Sequence, residues 1–201
     1  MLQFYLPLIT FVLVASFTPG PNTLMLAASG ANFGLRASLP HILGIQFGFP
    51  VMLLAIGLGF GEVFHLYPEL HTGLRWAGTA CILFFAWKIA NAGNPNENKN
   101  KSGQTGKPFT FVQAALFQWL NPKAWVMGMG ALTTYTTIGG NTFFEAGLIA
   151  FVFAALVFPA STVWCLFGTA IGKFLTSPGR LRAFNVTMGL LLAASVGLLY
   201  I

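Results

Sequence analysis

The sequence predicts an all-α integral membrane protein with six transmembrane helices, arranged as a 3+3 inverted repeat with broken helices 1 and 4. Three observations lead to this prediction: the scarcity of charge, six apolar segments of spanning length, and two breaks at matching places in the two halves. Hydrophobic residues make up 56% of the 201 residues and charged residues only 7%, with a mean hydropathy of +0.74. Because a soluble domain carries about 25% charged residues, the lipid bilayer is the expected surrounding of this chain.

The apolar segments define the predicted domain organisation. They lie near residues 4–33, 39–61, 74–91, 109–137, 143–171 and 183–201. Each reaches the roughly 20 residues that a helix needs to cross the hydrocarbon core. The polar, Asn-rich stretch at about 92–108 is expected to be a mobile loop. We therefore predict one transmembrane domain over 1–201, with repeat one at about 1–91 and repeat two at about 109–201.

The lysines and arginines predict the orientation in the membrane. Eight of the ten basic residues lie in or beside loops one, three and five: Arg36, Lys88, Lys99, Lys101, Lys107, Lys173, Arg180 and Arg182. By the positive-inside rule these loops face the cytoplasm, which places both termini in the periplasm. The net charge of +6 follows from this topology, so nucleic acid is not expected as a partner.

Segments one and four are too long for one straight crossing. As single helices, 4–33 and 109–137 would reach about 45 Å and about 43 Å, against a hydrocarbon core of about 30 Å. Each contains a break, TPGPN at 18–22 and LNPK at 120–123. Three spans per copy make the second copy enter the membrane from the opposite side. Matching breaks in two such copies are typical of transporters, where they mark the binding site.

A break of this kind exposes backbone groups that a ligand can bind. Proline lacks the backbone N–H and clashes with the preceding turn, so Pro19 and Pro21 interrupt the helical hydrogen bonds. Unpaired carbonyl and N–H groups cost several kcal/mol in hydrocarbon. A zwitterion satisfies both, because its carboxylate faces the positive helix N-termini and its ammonium faces the carbonyls. The alternative interpretation is a proline kink that serves packing alone.

Three polar side chains lie inside apolar runs. Lys123 lies about 20 Å into segment four if that helix begins at Phe109, and a lysine at such depth is a functional candidate. If the span begins at Pro122 instead, Lys123 snorkels to the interface. Gln46 and Gln118 either line the cavity or bond a neighbouring helix. The candidate substrate-binding residues are Thr18, Pro19, Gly20, Pro21, Asn22, Gln46, Gln118, Asn121, Pro122 and Lys123.

The sequence offers little for catalysis or metal binding. It contains no H-E-x-x-H, G-x-S-x-G or P-loop motif, and it has no aspartate. His41, His65 and His71 lie near loop ends without metal-ligand spacing. We therefore expect no enzymatic activity, no cofactor and no metal site.

The break motifs resemble a known family. TPGPNTL at 18–24, the Gly44 and Gly48 pair, and FQWLNPK at 117–123 are similar to the LysE/RhtB amino-acid exporters of bacteria. Several other stretches are most similar to the cysteine/O-acetylserine exporter branch. The resemblance implies an inner-membrane efflux transporter for small amino acids or their derivatives, driven by proton antiport. An obvious buried carboxylate for proton coupling is missing, and Glu145 near the start of segment five is the one weak candidate.

Two other functions stay open at this point. One is an uncoupled facilitator for another small metabolite, such as a lactone. The other is a non-transporting membrane scaffold that uses glycine-rich helix faces to assemble partners. Association of the chain into a homo-oligomer is also left open.

Overall fold

The computed structural model describes residues 2–60, 66–92, 107–136 and 141–199, which form seven α-helices and no strand. The helices are α1 (Leu2–Phe17), α2 (Pro21–Ala55), α3 (Pro68–Ala90), α4 (Phe111–Leu120), α5 (Pro122–Tyr135), α6 (Thr142–Phe174) and α7 (Pro178–Ala194). A π-helical turn at Ile56–Phe60 extends α2, and a 3-10 segment at Ser195–Leu199 extends α7. The all-helical prediction is confirmed. Most of the predicted loop, 93–106, lies outside the described residues.

Short polar residues fix where several helices begin. Thr110 Oγ1 accepts from Gln113 N at 3.2 Å, while Gln113 Oε1 accepts from Thr110 N at 3.1 Å. This reciprocal pair is a capping box at the start of α4. The side-chain oxygens of Asn121, Asn141 and Ser177 likewise accept backbone N–H groups at the starts of α5, α6 and α7. Both break motifs contain a helix start, because α2 and α5 each begin at a proline whose missing N–H costs no intrahelical bond.

Helix α2 changes direction at Gly34. This residue has φ 78° and ψ 170°, a combination that is essentially restricted to glycine. The sequence predicted a loop between segments one and two, but the structure joins them through this single residue. Ser38 Oγ then donates to Gly34 O at 2.9 Å. A longer loop is unnecessary because one residue with positive φ supplies the turn.

Helices α2 and α6 approach each other backbone to backbone. A Cβ added at Gly30 would overlap the carbonyl of Cys165, and one added at Gly168 would overlap the carbonyl of Ala27. Such close approach is possible only for very small residues. These glycines therefore allow α6 to pack closely against the first half of α2.

Glycines also position α4 and pair α3 with α7. At Gly48 an added Cβ would lie 2.6 Å from Ala115 Cα, which brings α2 onto α4. At Gly189 an added Cβ would lie 2.6 Å from the carbonyl oxygen of Ala86, which brings α7 onto α3. The α2–α4 contact matters for function because it carries the end of α4 towards the start of α2.

We expect Gly168→Ala to destabilise the protein, because the new methyl group meets backbone rather than a movable side chain. Overpacking of this kind costs about 1–3 kcal/mol. Gly147→Ala on the same helix is the matched control, since nothing lies within 4 Å of its added Cβ. The measurement is the thermal unfolding midpoint in detergent. Equal midpoints for the two variants would contradict the close approach of α2 and α6.

Apolar side chains form the outside of the helix assembly as well as its inside. Phe117 and Phe153 are buried, whereas Val126 and Phe151 are 73% and 70% exposed. Among the described residues, Pro21–Gly59 and Phe143–Phe174 are long and apolar enough to cross a membrane. Shorter apolar helices, Tyr5–Phe17 and Phe111–Leu120, precede the chain interruptions at 18–20 and at Asn121.

Candidate functional site

A partly open cavity lies where the α1–α2 junction meets the α4–α5 junction. Helix α6 closes one side of it. The cavity contains a cluster of polar side chains in an otherwise apolar interior. These are Ser16, Asn22, Thr23, Gln118, Asn121, Lys123 and Ser161.

Carbonyl groups at the end of α1, next to this cavity, lack their usual helical donors. In an α-helix the carbonyl of residue i accepts from the N–H of residue i+4. Pro19 and Pro21 have no N–H, so the carbonyls of Ala15 and Phe17 receive no hydrogen bond from the residue four positions later. The last regular bond of α1 runs from Thr18 N to the carbonyl four residues earlier, at 3.0 Å. The helix end therefore presents a set of partly negative oxygens.

The start of α2 presents N–H groups on the other side of the break. Thr23 Oγ1 accepts from Gly20 N at 2.8 Å and donates to Gly20 O at 2.9 Å, which holds the turn. The first intrahelical bond of α2 runs from Leu24 N to Gly20 O at 3.0 Å. The N–H groups of Asn22 and Thr23 precede that bond and are among those that a helix cannot satisfy itself.

The side chain of Lys123 enters the cavity and bonds the first break. Its Nζ donates to the carbonyl oxygen of Thr18 at 2.5 Å. An added Cβ at Gly20 would lie 2.7 Å from Lys123 Cδ, so the absence of a side chain there leaves room for the lysine. Lys123 is half-buried and lines the cavity.

An amide pair links the two breaks. Asn22 Nδ2 donates to Gln118 Oε1 at 2.8 Å, and Gln118 Nε2 donates back to Asn22 Oδ1 at 3.3 Å. Gln118 is fully buried and its amide also donates to Ala114 O at 2.8 Å. Since all of these groups are paired, the amides hold α2 and α4 in register next to the cavity.

The second break is capped by its own asparagine. Asn121 Oδ1 accepts from Lys123 N at 3.2 Å, and Asn121 O accepts from Ala124 N at 3.0 Å. The first N–H groups of α5 are therefore already bonded within the helix. Of the two helix starts at the cavity, α2 is the one with N–H groups left for a ligand.

Besides the prolines, three candidates from the sequence lie outside this cavity lining. Thr18 is exposed, and its Oγ1 donates to Val14 O at 2.6 Å. Gln46 Nε2 donates to Ala154 O at 2.8 Å and so ties α2 to α6. Glu145 lies in the first turn of α6, also outside the lining. The three prolines of the two motifs shape the backbone without lining the cavity themselves.

Sequence reasoning missed two serines in the cavity wall. Ser16 Oγ is buried and has no hydrogen-bond partner among the described residues. Ser161 on α6 is only 6% exposed and lines the opposite side. A signal for Ser161 was present in the sequence, because Pro159 interrupts the middle of an otherwise regular apolar segment. No comparable signal separates Ser16 from an ordinary helix residue.

Lys123 carries the only charge among the described residues that line the cavity. Its positive charge meets the partly negative carbonyl end of α1. No group of three or more His, Cys, Asp or Glu side chains suited to a metal ion occurs within the described ranges. The arrangement is suited to binding a polar organic molecule by hydrogen bonds and charge.

Comparison with known proteins identifies the family. The model of the LysE type translocator family matches residues 13–200. The chain belongs to this family. This LysE-type translocator is similar to the cysteine/O-acetylserine efflux proteins of Escherichia coli (strain K12), Shigella sonnei (strain Ss046) and Shigella flexneri. The identity to each is 29% over 184 residues, and the alignment covers 91% of this chain and 90% of each relative. No solved structure matches the chain.

The family resemblance predicted from the break motifs is thereby confirmed, including its similarity to the cysteine/O-acetylserine exporters. The LysE-type translocator is a membrane transporter rather than an enzyme.

Proposed function

We propose that this LysE-type translocator exports small amino acids or their derivatives across the bacterial inner membrane, with the cavity as its substrate site. The observation that carries the proposal is the bond from Lys123 Nζ to Thr18 O, which joins the two breaks beside the polar cavity that Lys123 lines. Helix-end carbonyls, first-turn N–H groups and an ammonium together match the two charged groups of a zwitterion. The printed names of the relatives, cysteine/O-acetylserine efflux proteins, support the same substrate class.

The walls of the cavity suit a short side chain. Ile45, Phe49, Met127 and Val157 supply apolar surface around the polar groups. The unpartnered hydroxyl of Ser16 supplies one hydrogen-bonding group beside them. A substrate with a small, weakly polar side chain satisfies both kinds of surface, as cysteine and O-acetylserine do.

The proposed architecture is a 3+3 inverted repeat that alternately opens the cavity to each side. In each half a helix ends shortly before a proline that starts the next, with three residues between the helices before Pro21 and one residue before Pro122. The last helices of the two halves, α3 and α7, pack against each other at Gly189. Movement of one half against the other around a fixed site is how such repeats transport.

The proposed orientation has both termini in the periplasm and loop 92–108 in the cytoplasm. We expect Asn98→Cys to react with a membrane-impermeant thiol reagent only after the inner membrane is permeabilised. The parent protein gives the background, because its own Cys81 and Cys165 lie within helices. Labelling of Asn98→Cys in cells with an intact inner membrane and a permeable outer membrane would reverse the orientation.

Proton antiport is the proposed mode of coupling, and an uncoupled facilitator is the second candidate. The observation that favours the facilitator is the absence of a carboxylate from the described cavity lining, with Glu145 outside it. Coupling within the cavity would have to use Lys123, its only titratable amine or acid among the described residues. The two mechanisms predict different responses to a proton gradient.

The test is transport of labelled cysteine by the purified protein in proteoliposomes, under reducing conditions. Counterflow against unlabelled cysteine is expected, and its absence across a panel of small amino acids would leave the scaffold as the better explanation. An imposed proton gradient should then drive accumulation against the cysteine gradient. Counterflow without gradient-driven accumulation would replace antiport by facilitated diffusion. Empty liposomes and the Lys123→Met variant serve as controls.

A further inference from the structure

The ammonium group of Lys123 lies where a substrate ammonium would be expected to bind. It donates to Thr18 O at the carbonyl end of α1, where helix dipoles favour a cation. The neighbouring prolines remove backbone donors that would otherwise compete for these oxygens. We propose that the ammonium of Lys123, which is tethered to the protein by its side chain, occupies the substrate's ammonium subsite in the empty transporter. It leaves this subsite when an amino acid binds. This inference rests on the proposed function.

The local packing is built around this position of the lysine. Gly20 has φ −175° and ψ −178°, an extended backbone that any residue adopts. Glycine is therefore not required there for its conformational freedom. Its missing Cβ instead provides space, because an added Cβ would lie 2.7 Å from Lys123 Cδ and 3.2 Å from Nζ.

The charge of Lys123 lacks an acidic partner within the described structure. No carboxylate lines the described part of the cavity, and the bond to Thr18 O supplies only a partial negative charge. Charges removed from water are normally paired with an opposite charge. A substrate carboxylate supplies that missing partner. Once displaced, the Lys123 ammonium pairs with it while the substrate ammonium takes over the Thr18 carbonyl.

This exchange makes the zwitterion the preferred ligand. A simple amine must displace Lys123 and leaves the lysine charge without a counter-ion. A simple carboxylate pairs with Lys123 but brings no ammonium for the vacated carbonyls. An α-amino acid does both at once. Lys123 thus acts as a specificity-determining residue that excludes amines from an otherwise cation-binding helix end.

Cysteine and two of its fragments provide a matched test. Cysteamine lacks the carboxylate, and 3-mercaptopropionate lacks the ammonium. Dissociation constants are obtained from thermal stabilisation in detergent across a concentration series of each compound, with a reducing agent present. The wild-type protein should bind cysteine at least about tenfold more tightly than either fragment, the change expected from one charge-assisted hydrogen bond.

Removal of the lysine should reverse the selectivity. In Lys123→Ala the subsite is vacant, so cysteine binding should fall and cysteamine binding should rise, each by about tenfold or more. Lys173→Ala, which removes an exposed lysine in the last turn of α6, should leave all three constants unchanged. A variant that had merely lost its structure would bind neither cysteine nor cysteamine.

The outcomes separate this inference from the proposed function. If the wild type binds cysteine and cysteamine equally tightly, or Lys123→Ala gains no affinity for cysteamine, the tethered-ammonium role is wrong while the exporter function stands. The wild-type comparison decides this even if Lys123→Ala cannot be purified. If the wild type binds no small amino acid, the proposed function fails. A gain of cysteamine binding by Lys123→Ala would in that case still support the occupation of a cation-binding subsite by Lys123.

Discussion

Lys123→Met is expected to abolish amino-acid export while leaving membrane insertion and folded yield unchanged. Methionine keeps nearly the length of the side chain and its apolar contacts, but it has no ammonium. It can neither bond Thr18 O in the empty transporter nor pair with the carboxylate of a bound substrate. Loss of a hydrogen bond from a charged group costs about 1.5–3 kcal/mol, which corresponds to a decrease of at least about tenfold in affinity. Export from loaded proteoliposomes at equal protein content is the measurement.

The control for this prediction is Lys173→Met. Lys173 is exposed in the last turn of α6 and does not line the cavity. Its removal changes the net charge by the same amount, so export should continue near the wild-type rate. Undiminished export by Lys123→Met would remove the lysine from the site. A parallel loss in both variants would instead indicate a general effect of charge on insertion or folding.

The helix ends around the cavity were predictable because they depend on local backbone chemistry. Proline lacks an N–H wherever it lies, so TPGPN and LNPK identify the two interruptions and the following helix starts without any tertiary information. Counting residues along a helix left the depth of Lys123 open, because the result depends on whether the span begins at Phe109 or at Pro122. Counting also could not give the direction of the side chain, which depends on the space at Gly20.

The parts that the sequence did not predict depend on how helices pack. Gln46 and Gln118 occupy similar apolar surroundings in the sequence. Only the packing of α2 against α6 and α4 sends one amide to Ala154 O and the other to the cavity asparagine, Asn22. The turn at Gly34 was expected to be a longer loop, because hydropathy does not report that a single residue adopts positive φ.

The double variant Pro19→Ala with Pro21→Ala is expected to stay folded and to lose substrate binding. Alanine restores the two missing N–H groups, so the carbonyls of Ala15 and Phe17 regain helical donors. Alanine is also more favourable than proline in a helix interior by about 3 kcal/mol. With Gly20 then helical, α1 and α2 can merge into one continuous helix.

In such a merged helix, the backbone carbonyl and N–H groups that we assign to substrate binding would bond each other. In a continuous helix the carbonyl of Thr18 accepts from Asn22 N, so it no longer receives the ammonium of Lys123 or of a ligand. Asn22→Ala is the milder probe, because it keeps the break but removes the amide that pairs with Gln118. It should weaken binding without eliminating it, at about 1 kcal/mol for a typical intramolecular hydrogen bond.

Pro7→Ala provides the matched control, since Pro7 lies inside the same α1 helix and outside the cavity lining. All three variants are compared with wild type by cysteine-induced thermal stabilisation in detergent. Pro7→Ala should bind as wild type does, which shows that removing a proline from α1 is not harmful in itself. If the double proline variant also binds cysteine as tightly as wild type, the break is a packing kink and the substrate site lies elsewhere. If binding is lost only in the double variant and weakened in Asn22→Ala, the open helix ends of the first break are the groups that hold the substrate.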